Sequence, residues 1–280
     1  MPISPGRGIA WPIPETWPSR AGLSRLRQMS ETQPLVIEER RGSVVCLALN
    51  RPERHHALNN ALSDQLGDAI LRAAEDPEVA VLILTGTGDK AFCAGGDMLE
   101  MSGVEGGQEA RSRSAGGLFG VLAKTPQPVI AAVNGYCFGG GARLAIGCDI
   151  RIASTTASFR LPGSEYGLVV AAASLPRLVG AARAKELIFT ARKFDAREAF
   201  EYGLVTSLHE PQALMDAAWS MAETIASMSR SAVQEAKRVI DVATLSDEAR
   251  HMEDDANRRL RGSPEQVERF RDATRRVTGR

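Results

Sequence analysis

Two stretches of this chain carry apolar residues with no polar alternation, VAVLILTG (79–86) and PVIAAVNG (128–135). A strand with one wet face alternates apolar and polar residues, whereas a strand covered on both faces does not. Both runs therefore read as buried strands, and each ends in glycine. LVIEE and SVVCLALN, joined by Arg41-Gly42, read as a hairpin ahead of them. DIRIAS (149–154) reads as one more strand. Helical spacing fills the gaps. Asn60 is the expected cap of a helix with Leu62, Leu66, Ala69, Ile70 and Ala73 on one face, ended by Asp76-Pro77. Further helices are expected near 108–124 and at about 140–147. Strands alternating with helices give an α/β fold with a sheet covered by helices.

Beyond about Leu175 the pattern is mostly helical. Ser174 is a candidate cap with Pro176 early in its helix, and AAWSMAETIASM and SAVQEAKRVIDVA are amphipathic. From Ser246 the charge is dense with both signs interleaved, which suits a solvated helical surface or a subunit contact. The first 33 residues differ. They are proline-rich, hold Trp11 and Trp17, and show neither period. The expected division is a disordered leader (1–33), a core (34–210) and a helical C-terminal region (211–280). Met29 precedes a natural domain start, so residues 1–28 read as a leader or a mis-assigned translation start.

Composition excludes several functions. The 280 residues balance 34 basic against 34 acidic side chains, so no basic excess marks a nucleic-acid binder. No apolar run is long enough to span a bilayer, and the N-terminus lacks the apolar core of a secretory signal. No membrane association and a cytoplasmic location are expected. Cys46, Cys93, Cys137 and Cys148 form no C-x-x-C pair and read as buried, reduced thiols. The four histidines lack metal-ligand spacing, so no metal is expected.

The chemistry points to the turns after the buried strands. KAFCAGGDMLEM (90–101) and VNGYCFGGGARLAIGCDI (133–150) are both rich in glycine. Glycine lets a backbone approach a ligand closely, and a glycine turn opening a helix leaves N–H groups uncommitted at the positive end of the helix dipole. Two such turns side by side would offer two donors to one carbonyl oxygen, an oxyanion hole. Neither turn has the spacing of a dinucleotide or P-loop motif. Taken alone, glycine turns after strands are most often only turns.

LNRPERHHALN (49–59), KAFCAGGDMLEM, PVIAAVNGYCFGGGARLAIGCDIRIAS (128–154) and AKELIFTARKFDAREAFEYGLVTSL (184–208) together resemble the enoyl-CoA hydratase/isomerase (crotonase) family, in order and over nearly all the chain outside the leader. The resemblance implies a spiral of ββα repeats, a helical C-terminal region that trimerises, and a homotrimer or dimer of trimers. It implies an acyl-CoA thioester as ligand, with coenzyme A belonging to the substrate and no permanently bound cofactor. Its oxyanion donors would be the N–H groups of Gly96 and Gly140. Relatives often have alanine at the Gly96 position, which matters little when the backbone is the donor. Coenzyme A would be bound by Arg54, His55, Ala57, Ala94, Asp97 and Met98; Arg54 and His55 read equally well as phosphate contacts or as solvated surface.

The departures from the family fall on its acids and bases. Orthodox hydratases carry a glutamate in a G-G-G-x-E pattern, where this chain has Arg143, and a second in a segment resembling F-x-x-P-E, where it has Gly163. Hydration needs a base for water and an acid for Cα; a guanidinium is neither at neutral pH, and glycine offers no side chain. A third position used by some relatives, eight residues further on, is Ala171. Glu165 is the substitute candidate, with Tyr166 and Ser164 behind it, although Glu165 reads as readily as an ion-pair partner of Arg143 or Arg160. Arg143 reads either as an ion-paired residue, with Asp149 or Glu165, or as the grip on an acyl group that carries its own carboxylate. Three functions remain open at this point: an enoyl-CoA lyase or isomerase with an unusual acid/base, a different thioester chemistry (hydrolysis, decarboxylation or C–C cleavage), and a non-catalytic acyl-CoA-binding protein.

Overall fold

A computed structural model describes residues 34–102 and 117–279. The leader, with its expected disorder and alternative start, lies outside the described residues, as does the first part of the helix expected near 108–124. The chain opens with the hairpin of β1 (Val36–Arg41) and β2 (Val44–Leu49), followed by helix α1 (Asn60–Glu75). The cap of α1 is Asn59 and not Asn60: the Asn59 side chain accepts from the Leu62 N–H, and extended backbone at Asn59 supplies the cap geometry.

A repeating path then begins. Strand β3 (Val81–Gly86) leads into the short β4 (Ala91–Cys93), helix α2 (Met98–Met101) and helix α3 (Gly117–Lys124). β5 (Val129–Val133) leads into the short β6 (Tyr136–Phe138) and helix α4 (Gly140–Gly147). β7 (Ile150–Ser154) leads into the short β8 (Ser158–Arg160). The long strands stack in one sheet, ordered β1-β2-β3-β5-β7 and closed by β10 (Ser207–His209). The short ones form a second sheet, ordered β4-β6-β8 and closed by antiparallel β9 (Lys193–Asp195). This is the expected ββα spiral. Between β8 and β10 come α5 (Pro176–Val179), α6 (Ala181–Thr190) and α7 (Ala196–Glu201). Leu175, not Ser174, precedes α5, and Pro176 is its first residue, where its missing N–H costs nothing.

The apolar runs are buried on both faces, as their pattern requires. Alternate residues Val81 and Ile83 of β3, and Ile130 and Ala132 of β5, pack under helix α8 (Leu214–Ala226) through Leu214, Ala218, Trp219 and Ala222. Leu82, Leu84, Val129, Ala131 and Val133 face the larger core with α1, α3 and α4. Each buried Val, Leu or Ile among them contributes about 1.5–3 kcal/mol by leaving water, and each Ala less. Arg151 in β7 is buried, and its guanidinium donates to the carbonyls of Cys148 (2.7 Å), Leu204 (2.8 Å) and Ala145 (3.3 Å). It fixes the C-terminal end of α4, where a cation suits the helix dipole.

Three more helices finish the chain, α9 (Arg230–Thr244), α10 (Asp247–Leu260) and α11 (Pro264–Thr278). From Leu35 onward the described residues belong to one compact unit. The charged tail is more than a solvated surface: α11 buries Gln266, Phe270, Ala273 and Thr274, and α10 buries Glu253. No helix among the described residues is long and apolar enough to cross a membrane.

Candidate active site

β4 and β6 are adjacent and parallel, with Cys93 opposite Cys137, so the turns that follow them leave the same sheet edge side by side. Ligands of parallel sheets gather at this carboxyl edge. A Cβ built on Gly140 would lie 3.4 Å from the Gly96 nitrogen, and one built on Gly95 would lie 3.2 Å from the Gly140 nitrogen. Because a Cβ sits about 2.5 Å from its own nitrogen, the Gly96 and Gly140 nitrogens are at most about 6 Å apart. Neither N–H donates to another described residue. Two members of the glycine triplet are dictated by geometry. Gly139 adopts φ 51°, ψ −116°, a region closed to side chains. A Cβ at Gly141 would stand 2.1 Å from the Cys93 carbonyl oxygen. Two uncommitted donors this close, one of them at the positive end of α4, can together hold an oxygen that gains negative charge.

The segment before α1 lies along the first of these turns. Leu58 donates to the Gly95 carbonyl at 2.7 Å, Ala94 to that of His55 at 2.9 Å and Asp97 to that of Leu58 at 3.0 Å. The segment that holds Arg54, His55 and Ala57 is thereby joined to the turn that holds Ala94 and Asp97, ahead of Met98. The Asp97 carboxylate is already committed: it caps α2 by accepting from the Leu99 N–H, and it takes the Arg51 guanidinium at 2.5 Å. Burial pushes its carboxyl up, but Arg51 and the N–H groups of Glu100 and Leu99 outweigh burial and hold it below the usual carboxylate range. Asp97 is a brace, so only its backbone is available to a ligand. Arg51 also donates to the Ala57 carbonyl, at 3.0 Å. Sequence reading missed this brace, since nothing in the chain links positions 46 residues apart. His56 is buried and pinned, accepting from the Arg51 N–H at 3.0 Å and facing the Thr87 carbonyl with Nε2 at 3.0 Å; burial lowers its pKa. His55 is exposed, its ring against Tyr136. At Gly96 an added Cβ would meet the Met101 sulfur at 2.5 Å, so Met101 fills the place a side chain would take.

The acid/base side is built differently. Arg143, one turn into α4, lays its guanidinium over the Phe119 ring at 4.4 Å and approaches Asp254 at 3.9 Å. Neither Asp149 nor Glu165 is its partner. Asp149 takes Lys237 at 2.8 Å. Glu165 takes Arg160 and, at 3.1 Å, Arg276 of α11, so its carboxylate is held in a two-arginine clamp. Ser164 donates to the Ile188 carbonyl, and Tyr166 packs edge-on against Phe270. Gly163 has no room for a glutamate: an added Cβ would stand 2.9 Å from both the Leu168 carbonyl and a Val170 methyl.

The segment after Gly163 is clamped by the C-terminal helices. Asn257 exchanges two hydrogen bonds with Val169, at 2.9 and 2.8 Å. The buried Glu253 accepts from Ala171 (3.1 Å) and Ala173 (2.8 Å). Ala171 sits at φ 58°, rare for a residue with a Cβ. Arg143, Glu253 and Asp254 line a cleft of about 510 Å³ between α3, α4, α9 and α10. Glu253 was not visible as a site residue in the sequence, because it lies 82 positions from its partner Ala171 inside a charged tail. All four cysteines are buried and unpaired. Burial pushes the Cys46, Cys93 and Cys148 thiols up to about 12 and Cys137 well above its ordinary value, so none is a nucleophile at neutral pH.

Known proteins carry the same architecture. Residues 39–276 match the sequence profile described as enoyl-CoA hydratase/isomerase. A crotonyl-CoA hydratase of Syntrophomonas wolfei is 37% identical over 227 residues, 79% of this chain and 87% of the relative. A short-chain-enoyl-CoA hydratase of Clostridium acetobutylicum is 40% identical over 212 residues, 74% and 80% of the two chains. The crystal structure of an enoyl-CoA hydratase/isomerase from Pseudoalteromonas atlantica superposes with a TM-score of 0.78 at 29% identity, over 87% of this chain and 98% of that one. The family profile is matched along nearly the whole described length, and the chain belongs to the enoyl-CoA hydratase/isomerase family.

Proposed function

We propose that this protein binds an acyl-CoA thioester with its carbonyl oxygen between the Gly96 and Gly140 N–H groups, and that it stabilises an enolate or oxyanion there without the family's glutamate pair. The observation that carries this reading is the pair of uncommitted backbone donors at most about 6 Å apart. Coenzyme A belongs to the substrate and runs along Arg54, His55 and Ala57. Arg143 and Gly163 stand where orthodox hydratases keep their carboxylates. The nearby acids do not replace them: Glu165 is clamped by Arg160 and Arg276, and both Glu253 oxygens accept backbone N–H groups. The reaction is therefore one that needs the oxyanion hole and not both carboxylates.

Self-association through the C-terminal helices, as a homotrimer or a dimer of trimers, is part of the same reading. Helix α9 buries none of its residues and exposes Val239, Ile240 and Val242. A cytoplasmic location completes it.

The test is hydration of crotonyl-CoA, followed as loss of the enoyl-thioester absorbance, with binding measured in parallel. A positioned general acid or base is worth about 10²–10⁴-fold, so the expected rate lies at least about 100-fold below that of a relative with both glutamates, while the thioester still binds. Rapid turnover would overturn the reading of the missing carboxylates. Tight binding with no turnover of any thioester tried would leave a binding protein that kept the hole.

A further inference from the structure

The 510 Å³ cleft is lined by five basic side chains, Lys124, Arg143, Arg177, Lys237 and Arg250. Three of them are matched: Lys237 with Asp149 at 2.8 Å, Arg177 with Asp241 at 3.0 Å and Arg250 with Asp247 at 3.2 Å. Arg143 is not. Its one ion pair, with Asp254 at 3.9 Å, lies beyond hydrogen-bond distance, and its guanidinium donates to no other described side chain or carbonyl. Glu253, the other acid nearby, is committed to the N–H groups of Ala171 and Ala173. Yet Arg143 is not loose. Its face rests on Phe119 at 4.4 Å, and its side chain is 35% exposed. A guanidinium oriented on a ring with its edge donors unused presents the fork that matches a carboxylate bidentately.

The position of this fork sets the size of what it grips. Gly140 and Arg143 are three apart on α4, so they share a helix face with Cβ positions about 5–6 Å apart. An acyl chain anchored by its carbonyl on the Gly140 N–H would have to run along that face to bring a second polar group to the guanidinium.

We propose that the acyl group accepted here carries its own carboxylate, and that Arg143, oriented by Phe119, grips it. The substrate class is then a short dicarboxylic acyl thioester. This rests on the reading of the chain as a thioester binder and adds the acyl specificity. Asp254 is the weak internal competitor that the ligand's carboxylate displaces.

Calorimetric binding of glutaryl-CoA, pentanoyl-CoA and free coenzyme A to the full chain separates the two levels. The expected result is glutaryl-CoA at least about 10-fold tighter than pentanoyl-CoA, one well-formed charge-assisted pair being worth that much. Arg143→Gln should bring the two within about twofold of each other without weakening pentanoyl-CoA, and Arg143→Lys should leave an intermediate preference, since the charge stays and the fork goes. Asp254→Asn should widen the preference, which guards against a folding defect at position 143. Equal binding of the two thioesters, unchanged by Arg143→Gln, would overturn the carboxylate grip and leave the thioester reading standing. Thioesters that bind no better than coenzyme A would overturn both.

Discussion

Three turns follow three neighbouring strands of the second sheet, and they have fared differently. After β4 and β6 the chain keeps Gly95-Gly96 and Gly139-Gly140-Gly141, with the backbone donors in place. After β8 it has Gly163, whose Cβ position is taken by Leu168 and Val170. Under the proposed function the first two turns act through the main chain, so that role survives any side-chain change that preserves the path. At the third, the space a side chain would need is occupied by the segment that follows, which is tied down by Asn257 and Glu253. A function carried by backbone geometry is thus separable from one carried by side chains, even a few ångströms apart on one edge.

Breaking the first kind should have the largest effect. Gly141→Ala forces a Cβ against the Cys93 carbonyl at 2.1 Å, and backbone cannot yield as a flexible side chain does. The expected cost is about 3 kcal/mol in denaturant unfolding, together with loss of acyl-CoA binding. Near-native stability and normal affinity in this variant would show the donor turns to be as plastic as the third. Gly163→Glu should cost less, about 2 kcal/mol, since Val170 can shift in part. Combined with Arg143→Glu it should still fail to hydrate crotonyl-CoA, because the new carboxylate is crowded out of place. Recovery of turnover in the double variant would collapse the contrast between the turns. The smallest effect belongs to Glu165→Gln. Its partners Arg160 and Arg276 are half-exposed to exposed, so thermal unfolding should report a loss under about 1 kcal/mol, with turnover of any active thioester unchanged. A large fall in turnover would put Glu165 back among the catalytic groups.

The same division explains what could be read from the chain. The apolar runs at 81–86 and 129–133 and the short helix from Gly140 were legible, because burial on two faces and a glycine turn leave local patterns. The donor pair was legible only through four motifs in order, since a single glycine turn has many uses. The braces were not. Arg51 with Asp97, Glu253 with Ala171 and Asn257 with Val169 join residues 46, 82 and 88 positions apart, and charged residues in a charged segment give no sign of which will be buried. The cap of α1 slipped by one residue because adjacent asparagines are chemically equivalent until the backbone chooses.

The buried thiols have a practical consequence. With Cys46, Cys93 and Cys148 pushed up to about 12 and Cys137 higher still, almost no native thiolate exists at pH 7 to react with a maleimide. A single cysteine introduced at Ala123, which is exposed on the rim of the 510 Å³ cleft, would therefore be the only fast-labelling position. The wild-type chain, with its four cysteines buried, is its own unreactive background, and a fluorophore at that rim would test occupancy of the cleft with no turnover needed.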